Sequence, residues 1–153
     1  MSSVADAWVA ATLGAADELA VTALGYSGAR TVADRQPSAP VGVLGAYLPL
    51  IGARAGAHVG IVAEPSVATA LAEALLGCTP TEEDTADAMA EIVNIVGGGV
   101  KSRLVELDST LKLGLPVLVE GRLRSFARQQ TISVPIEMGE LPVWIVILLS
   151  LEE

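Results

Sequence analysis

Apolar and polar positions alternate along this chain in two rhythms, one helical and one extended. Residues 3 to 24 carry Val9, Leu13, Ala16, Ala20 and Leu24 at four- and three-residue steps, the stripe of an amphipathic helix. Ser2 or Ser3 can cap its start and Gly25 its end, while Asp17 and Glu18 lie off the stripe and face water. The Gly-, Ser- and Pro-punctuated stretch from Gly25 to Pro40 reads as loop, with a short strand around Arg30 to Asp34. Val41 to Leu50 and His58 to Ala63 read as strands joined by IGARAG, whose glycines permit a hairpin reversal. A short helix follows: Pro65 suits its first turn, Ala68, Leu71, Ala72 and Leu75 form its buried face, and Gly77 ends it.

The longest helical span is Thr81 to Leu107, about 40 Å if unbroken at ~1.5 Å per residue. Thr79 with Glu82, and Thr81 with Asp84, both have capping-box spacing, and Glu82, Glu83 and Asp84 favour the positive end of the helix dipole. Met89, Val93, Val96, Val100, Leu104 and Leu107 make an apolar stripe suited to a sheet. Gly97, Gly98 and Gly99 each cost roughly 1 kcal/mol relative to alanine inside a helix, so they mark tight packing, a kink or a site. Beyond Leu107 the period becomes two: LGLPVLVEG, QQTISVPIEMG and PVWIVILLSL read as strands, with turns near Gly121 to Ser125 and at Gly139 to Pro142. The order implies an α+β fold, a mostly antiparallel sheet of five or six strands with two long helices and one short helix on one face.

Composition narrows the function. At 153 residues the chain is expected to be one domain, residues 1–153. Hydrophobic residues make up 52% and charged ones 18%, which excludes a disordered chain, and the most apolar run, Leu141 to Leu151, is too short to span a membrane as a helix. No basic residue precedes Arg30, so a signal peptide is not expected, and a single cysteine, which can form no internal disulfide, suits the expected cytoplasmic protein. Cys78, the single cysteine, reads as a small buried hydrophobe. A net charge of −9 with only Lys101 and Lys112 as lysines argues against a nucleic-acid surface.

Several familiar motifs fail on inspection. GGGVKS has a valine between the last glycine and the lysine and follows a helix pattern rather than a strand, so it is no phosphate loop. GYSGA has its second glycine one position early for a nucleophile elbow. His58, the only histidine, stands in a strand with no triad or metal signature around it and reads as structural. What remains is a stripe on the long helix. Asp87, Glu91, Asn94, Gly98 and Lys101 advance by four, three, four and three residues and so share one face. A solvated helix face would explain the charges. It does not explain Asn94, a poor helix former in mid-helix, or Gly98, which leaves a bare notch beside it.

The segment DAMAEIVNIVGGGVKSRL resembles the signature of the CheX/CheC/FliY family of bacterial chemotaxis phosphatases: an Asp or Ser, a Glu four residues on, an Asn three further, a Gly four beyond, and a downstream Pro. Asp87, Glu91, Asn94 and Gly98 stand in those places, Pro116 lies close to the family spacing of the proline, and the strand, glycine-turn, strand and helix of residues 41 to 77 are also similar to the family. The resemblance implies a CheC-like fold and dephosphorylation of the phospho-aspartate of a CheY-like response regulator. Asn94 would orient the attacking water and Glu91 would anchor the receiver's lysine, with Asp87, Gly98 and Lys101 supporting the contact. The chain would need no cofactor or metal of its own, the Mg2+ belonging to the receiver. The first helix carries no Glu-x-x-Asn, which makes the chain a single-site, CheX-like member. Such proteins form homodimers through sheet edges, for which the apolar last strands would serve. A non-enzymatic receiver-binding module, or a structural dimerisation module of the same fold, is the alternative.

Overall fold

The computed structural model describes residues 3–33, 42–121 and 129–150. Helix α1 (Val4–Thr22) is capped by Ser3, whose hydroxyl accepts from the Asp6 N–H while the Asp6 carboxylate accepts from the Ser3 N–H. Strands β1 (Ala29–Thr31), β2 (Leu44–Ile51) and β3 (Gly56–Ala63) follow, then helices α2 (Pro65–Leu76) and α3 (Glu82–Arg103), then β4 (Lys112–Leu113), β5 (Val117–Glu120), β6 (Gln129–Met138) and β7 (Leu141–Ser150). All the strand pairs are antiparallel, in the order β1-β6-β7-β3-β2, with β4 and β5 both on the outer side of β2.

The sheet has seven strands where five or six were expected, because the stretch from Lys112 to Glu120 forms two short strands rather than one. Gly114 donates its N–H to the Pro49 carbonyl and lies against the Pro49 ring, where a side chain has no room, so the chain steps away from β2 and rejoins it after Pro116. The reversal expected between Gly121 and Ser125 lies, beyond Gly121, outside the described residues.

Strand β7 explains its own unbroken apolar run. Val143, Ile145, Ile147 and Leu149 face the three helices, while Trp144, Val146 and Leu148 join Val43, Tyr47 and Val62 in a second cluster on the opposite face. A central strand buried on both faces loses the polar half of its alternation. The helix-side core draws on all three helices, which occupy one face as expected. His58 lies on the opposite face of β3, half-buried, across from Pro49 and Leu148.

Three sequence expectations need correction. In α1 the fully buried set is Trp8, Ala11, Thr12, Ala15, Ala16, Leu19 and Ala20, and Val9 and Leu13 are only half-buried, because the helix packs against both the sheet and α3. Cys78 is exposed, since it falls just after Gly77, the left-handed C-cap of α2, where the chain has left the core. The last long helix ends at Arg103, not Leu107, and Thr81, not Thr79, forms its capping box.

Asp108, buried just beyond α3, fastens that exit to the hairpin turn between β2 and β3. One carboxylate oxygen accepts from the Arg54 and Ala55 N–H groups at 2.8 and 3.0 Å, and the other from the hydroxyl and N–H of Thr110. Those donors hold its carboxyl at about 2, below the ordinary 3.8, so the charged form is the one the fold favours. The stabilisation is therefore complete above pH 3.8 and is lost as pH falls through about 2. Asp108→Asn is expected to melt at lower urea at neutral pH and to show a flatter decline between pH 3.8 and 2 than the wild type. Urea titrations at several pH values check both.

Candidate functional site

Helix α3 is built to run unbroken through its glycines. Thr81 and Asp84 exchange capping bonds at 3.1 and 3.0 Å, three acids occupy the first turn, and Lys101 and Arg103 the last. Both ends complement the dipole. Its buried stripe of Thr85, Ala88, Met89, Ile92, Val93, Val96, Gly97 and Val100 faces the sheet and the neighbouring helices. About 33 Å of helix results, at ~1.5 Å per residue over its 22 residues.

The three glycines divide by direction. A Cβ on Gly97 would run into the Leu48 side chain of β2 and sit 3.4 Å from Leu113, so Gly97 lets the helix settle onto the sheet edge. A Cβ on Gly99 would lie 2.8 Å from the Ala15 Cβ, so Gly99 lets α3 approach α1. Tight packing, not a kink, accounts for both, and none of the three has a positive φ. Gly98 is different: a Cβ there would meet nothing within 4 Å. It is a notch open to solvent.

Around that notch the structure gathers the stripe. Asp87, Glu91 and Lys101 are exposed, and Asn94 and Gly98 are half-buried. Glu91 and Asn94 are neighbours on the helix surface at ~5–6 Å between Cβ atoms. Among the described residues neither side chain has a hydrogen-bond or ion-pair partner. An amide and a carboxylate are thus held on a rigid element with their bonding capacity directed outward. Pro116 lies between β4 and β5, and both of those strands contact this helix.

Arg103, which no motif singled out, ties this helix to α1. Its guanidinium donates to the Gly14 and Gly99 carbonyls, each at 3.2 Å, and to Glu18 at 2.9 Å. Its aliphatic stem and Nε fill the space left by Gly14, where a Cβ would lie 2.8 Å from Nε. The signal for such a clamp is a long-range pairing and could not be found from spacing. Among the described residues no group of three or more His, Cys, Asp and Glu is placed to hold a metal ion, and no helix is long and apolar enough to cross a membrane.

Three helices on one face of an antiparallel sheet make an α+β protein, and the solved structures that share this arrangement are of CheX and CheC-like proteins. The Vibrio vulnificus chemotaxis protein CheX has the same fold, with a TM-score of 0.76 at 22% identity, covering 97% of this chain and 100% of that one. CheX in the CheX–CheY–BeF3–Mg2+ complex from Borrelia burgdorferi gives 0.73 at 17% identity over 95% and 98% of the two chains. Thermotoga maritima FliY gives 0.61 at 15% identity over 91% and 84%. No curated protein matches the sequence. The family model for the chemotaxis phosphatase CheX matches residues 46–137, a span that contains the whole of α3. The chain belongs to the CheX family.

Proposed function

We propose that this protein hydrolyses the phospho-aspartate of a CheY-like response regulator, using the outward face of α3 as its docking and catalytic surface. The observation that carries the proposal is the pair Glu91 and Asn94, unpartnered among the described residues on an unbroken helix beside the open notch at Gly98. The CheX–CheY complex among the similar structures supports the choice of partner.

Phosphoryl transfer needs little covalent help from the protein, since positioning and charge stabilisation supply most of the catalysis. The Asn94 amide would enter the receiver's site and orient a water, both donating and accepting while remaining neutral beside the phosphoryl group. The water oxygen bonds to phosphorus, the bond from phosphorus to the aspartate oxygen breaks, and the receiver carboxylate and inorganic phosphate are the products. Glu91 would pair with the receiver's lysine and fix the docking angle. Asp87 and Lys101 would flank the contact with opposite charges, and Gly98 would leave room for the receiver's loops. The Mg2+ is the receiver's own, and this chain would act as a single cytoplasmic domain without a cofactor.

Mixing the protein with a phosphorylated receiver of the same genome and following phosphate release tests the proposal. Acceleration supports hydrolysis; tight binding with unchanged release would place the chain among receiver-binding scaffolds instead.

Homodimerisation would use a sheet edge, and of the last two strands β6 offers one, since β1 pairs only with its Ile136–Met138 end. Strand β7 lies inside the sheet, between β6 and β3. Exposed apolar side chains gather instead at the β2–β4–β5 margin: Ile51, Leu113, Leu115, Val117 and Leu118, with Leu115 82% exposed. A cluster of this kind favours a second copy. Light scattering should give a dimer mass for the wild type and a monomer mass for the Leu115→Asp, Val117→Lys double variant. A monomeric wild type would remove the dimer.

A further inference from the structure

The helix-side face of the sheet stays open at its β5 edge. Cross-strand pairing sets Leu118 opposite Ala46 and Glu120 opposite Leu44, so both β5 side chains share the face on which Ala46 joins the core. Leu118 is nevertheless 40% exposed, and Glu120 is exposed. Between β5, the start of α2 and the first turns of α3 lies a groove of about 1110 Å3. Its walls are chiefly apolar, with Leu44, Pro65, Pro80, Ala86 and Leu118 among them. It exceeds the roughly 300–1,000 Å3 of a small-molecule site and suits a segment of a protein chain.

The free polar groups of the groove are of one kind. Thr69 and Thr85 donate their hydroxyls to the Pro65 and Thr81 carbonyls, each at 3.0 Å, and the Thr81 hydroxyl caps α3. Glu82, Glu83 and Glu120 line the groove with no hydrogen-bond or ion-pair partner among the described residues, and no Lys, Arg or His is among its described lining residues. Apolar walls with unpaired carboxylates at their rim match an apolar group carried beside a cation.

Glu83 also begins a row that leads to the proposed site. Glu83, Asp87 and Glu91 follow one another at four-residue steps, a spacing at which like charges repel along a helix. A cationic surface laid along the row relieves that repulsion. From Glu83 to Asn94 the helix rises about 16 Å at ~1.5 Å per residue, and a small domain is about 30 Å across. A receiver seated over Asn94 therefore reaches the mouth of the groove.

Building on the receiver reading above, we propose that this groove seats a segment of the receiver that carries Lys or Arg beside an apolar side chain. The apolar side chain rests on Pro80, Ala86 and Leu118, and the cation meets Glu83 and Glu120. These residues are thereby specificity-determining: the groove chooses the receiver by charge and shape, and Asn94 acts on it. Leu118 is the one residue the groove shares with the exposed apolar margin, so a second copy is the competing occupant.

The test separates binding from hydrolysis. Affinity of a beryllofluoride-activated receiver is measured at low and high salt, with steady-state phosphate release alongside. The proteins compared are the wild type, the Glu83→Lys, Glu120→Lys double variant, Leu118→Gln and Glu140→Lys. Glu140 is exposed in the turn between β6 and β7, three strand pairings from β5, and serves as the charge control. The double variant should weaken binding and raise KM by about tenfold at low salt, with kcat within about twofold and a flatter salt dependence than the wild type. Leu118→Gln should weaken binding by about threefold or more with the salt dependence kept, and Glu140→Lys should match the wild type. All four positions are exposed, and circular dichroism confirms that the variants fold. Wild-type affinity in either the double variant or Leu118→Gln, or an equal loss in Glu140→Lys, overturns the groove while leaving the function standing. Unchanged receiver affinity with loss of a dimer mass gives the groove to a second copy and overturns the proposal as well. A wild type that binds activated receivers without hydrolysing them, with binding lost in the double variant, defeats the catalytic reading and keeps the groove. A wild type that binds no receiver overturns both.

Discussion

Asn94→Ala is expected to lower kcat for receiver dephosphorylation by about 10²–10³-fold, the range seen when one oriented polar group is removed from a reacting centre. KM should change little, because Glu91, Gly98 and the flanking surface remain in place. The fold should gain from the same change. Asn94 is half-buried in mid-helix, where alanine is the better helix former by about 0.5 kcal/mol, and no bond within the described structure is lost with the amide. Activity and stability moving in opposite directions is the mark of a residue kept for chemistry. Asn94→Asp sharpens the point: the shape is kept, but a negative charge would face the phosphoryl group, and activity should again collapse. Stopped-flow turnover with thermal melts of the same preparations reads both effects.

The consecutive glycines give the second large effect, and they should not behave alike. Gly97→Val would force a branched side chain into the buried Leu48 side chain, with Leu113 close by, and overpacking of that kind costs about 1–3 kcal/mol or more. Gly99→Val would push α3 off Ala15 and disturb the Arg103 clamp, with a loss of the same order. Gly98→Ala meets nothing and relieves a helix-interior glycine, for a gain of about 0.5–1 kcal/mol. At this size that is roughly 2–3 °C in Tm. The gain should come with weaker receiver docking, since the added methyl narrows the notch, and Gly98→Leu should weaken it further. Calorimetry on the three variants separates packing glycines from the docking glycine. Equal destabilisation at all three positions would contradict the division.

These outcomes rest on features that were unequally visible in the sequence. Helix α3 was legible because its capping box, acidic start and buried stripe agree over many turns, and the same periodicity put Asp87, Glu91, Asn94, Gly98 and Lys101 on one face. Its end was misplaced because Leu104 and Leu107 continue the apolar period after the backbone has turned toward Asp108. Helix α1 was misphased for a related reason: alanines recur around its circumference, so Val9 and Leu13 dominated a pattern that Trp8 and Leu19 anchor. The β4–β5 break depends on Gly114 meeting Pro49, a contact between residues far apart in the chain. Arg103, Asp108 and the groove beside β5 are of the same kind. Local spacing can place a side chain on a face, but it cannot supply that face with a partner from another element.

The most direct measurement is the decay of a phosphorylated receiver titrated with substoichiometric amounts of this protein. The decay rate should rise in proportion to the protein added, with many receivers turned over per molecule, and should return to the intrinsic rate when Asn94→Ala replaces the wild type. Decay that stays at the intrinsic rate at every concentration, or an Asn94→Ala variant as fast as the wild type, would contradict the assignment of α3 as a phosphatase site.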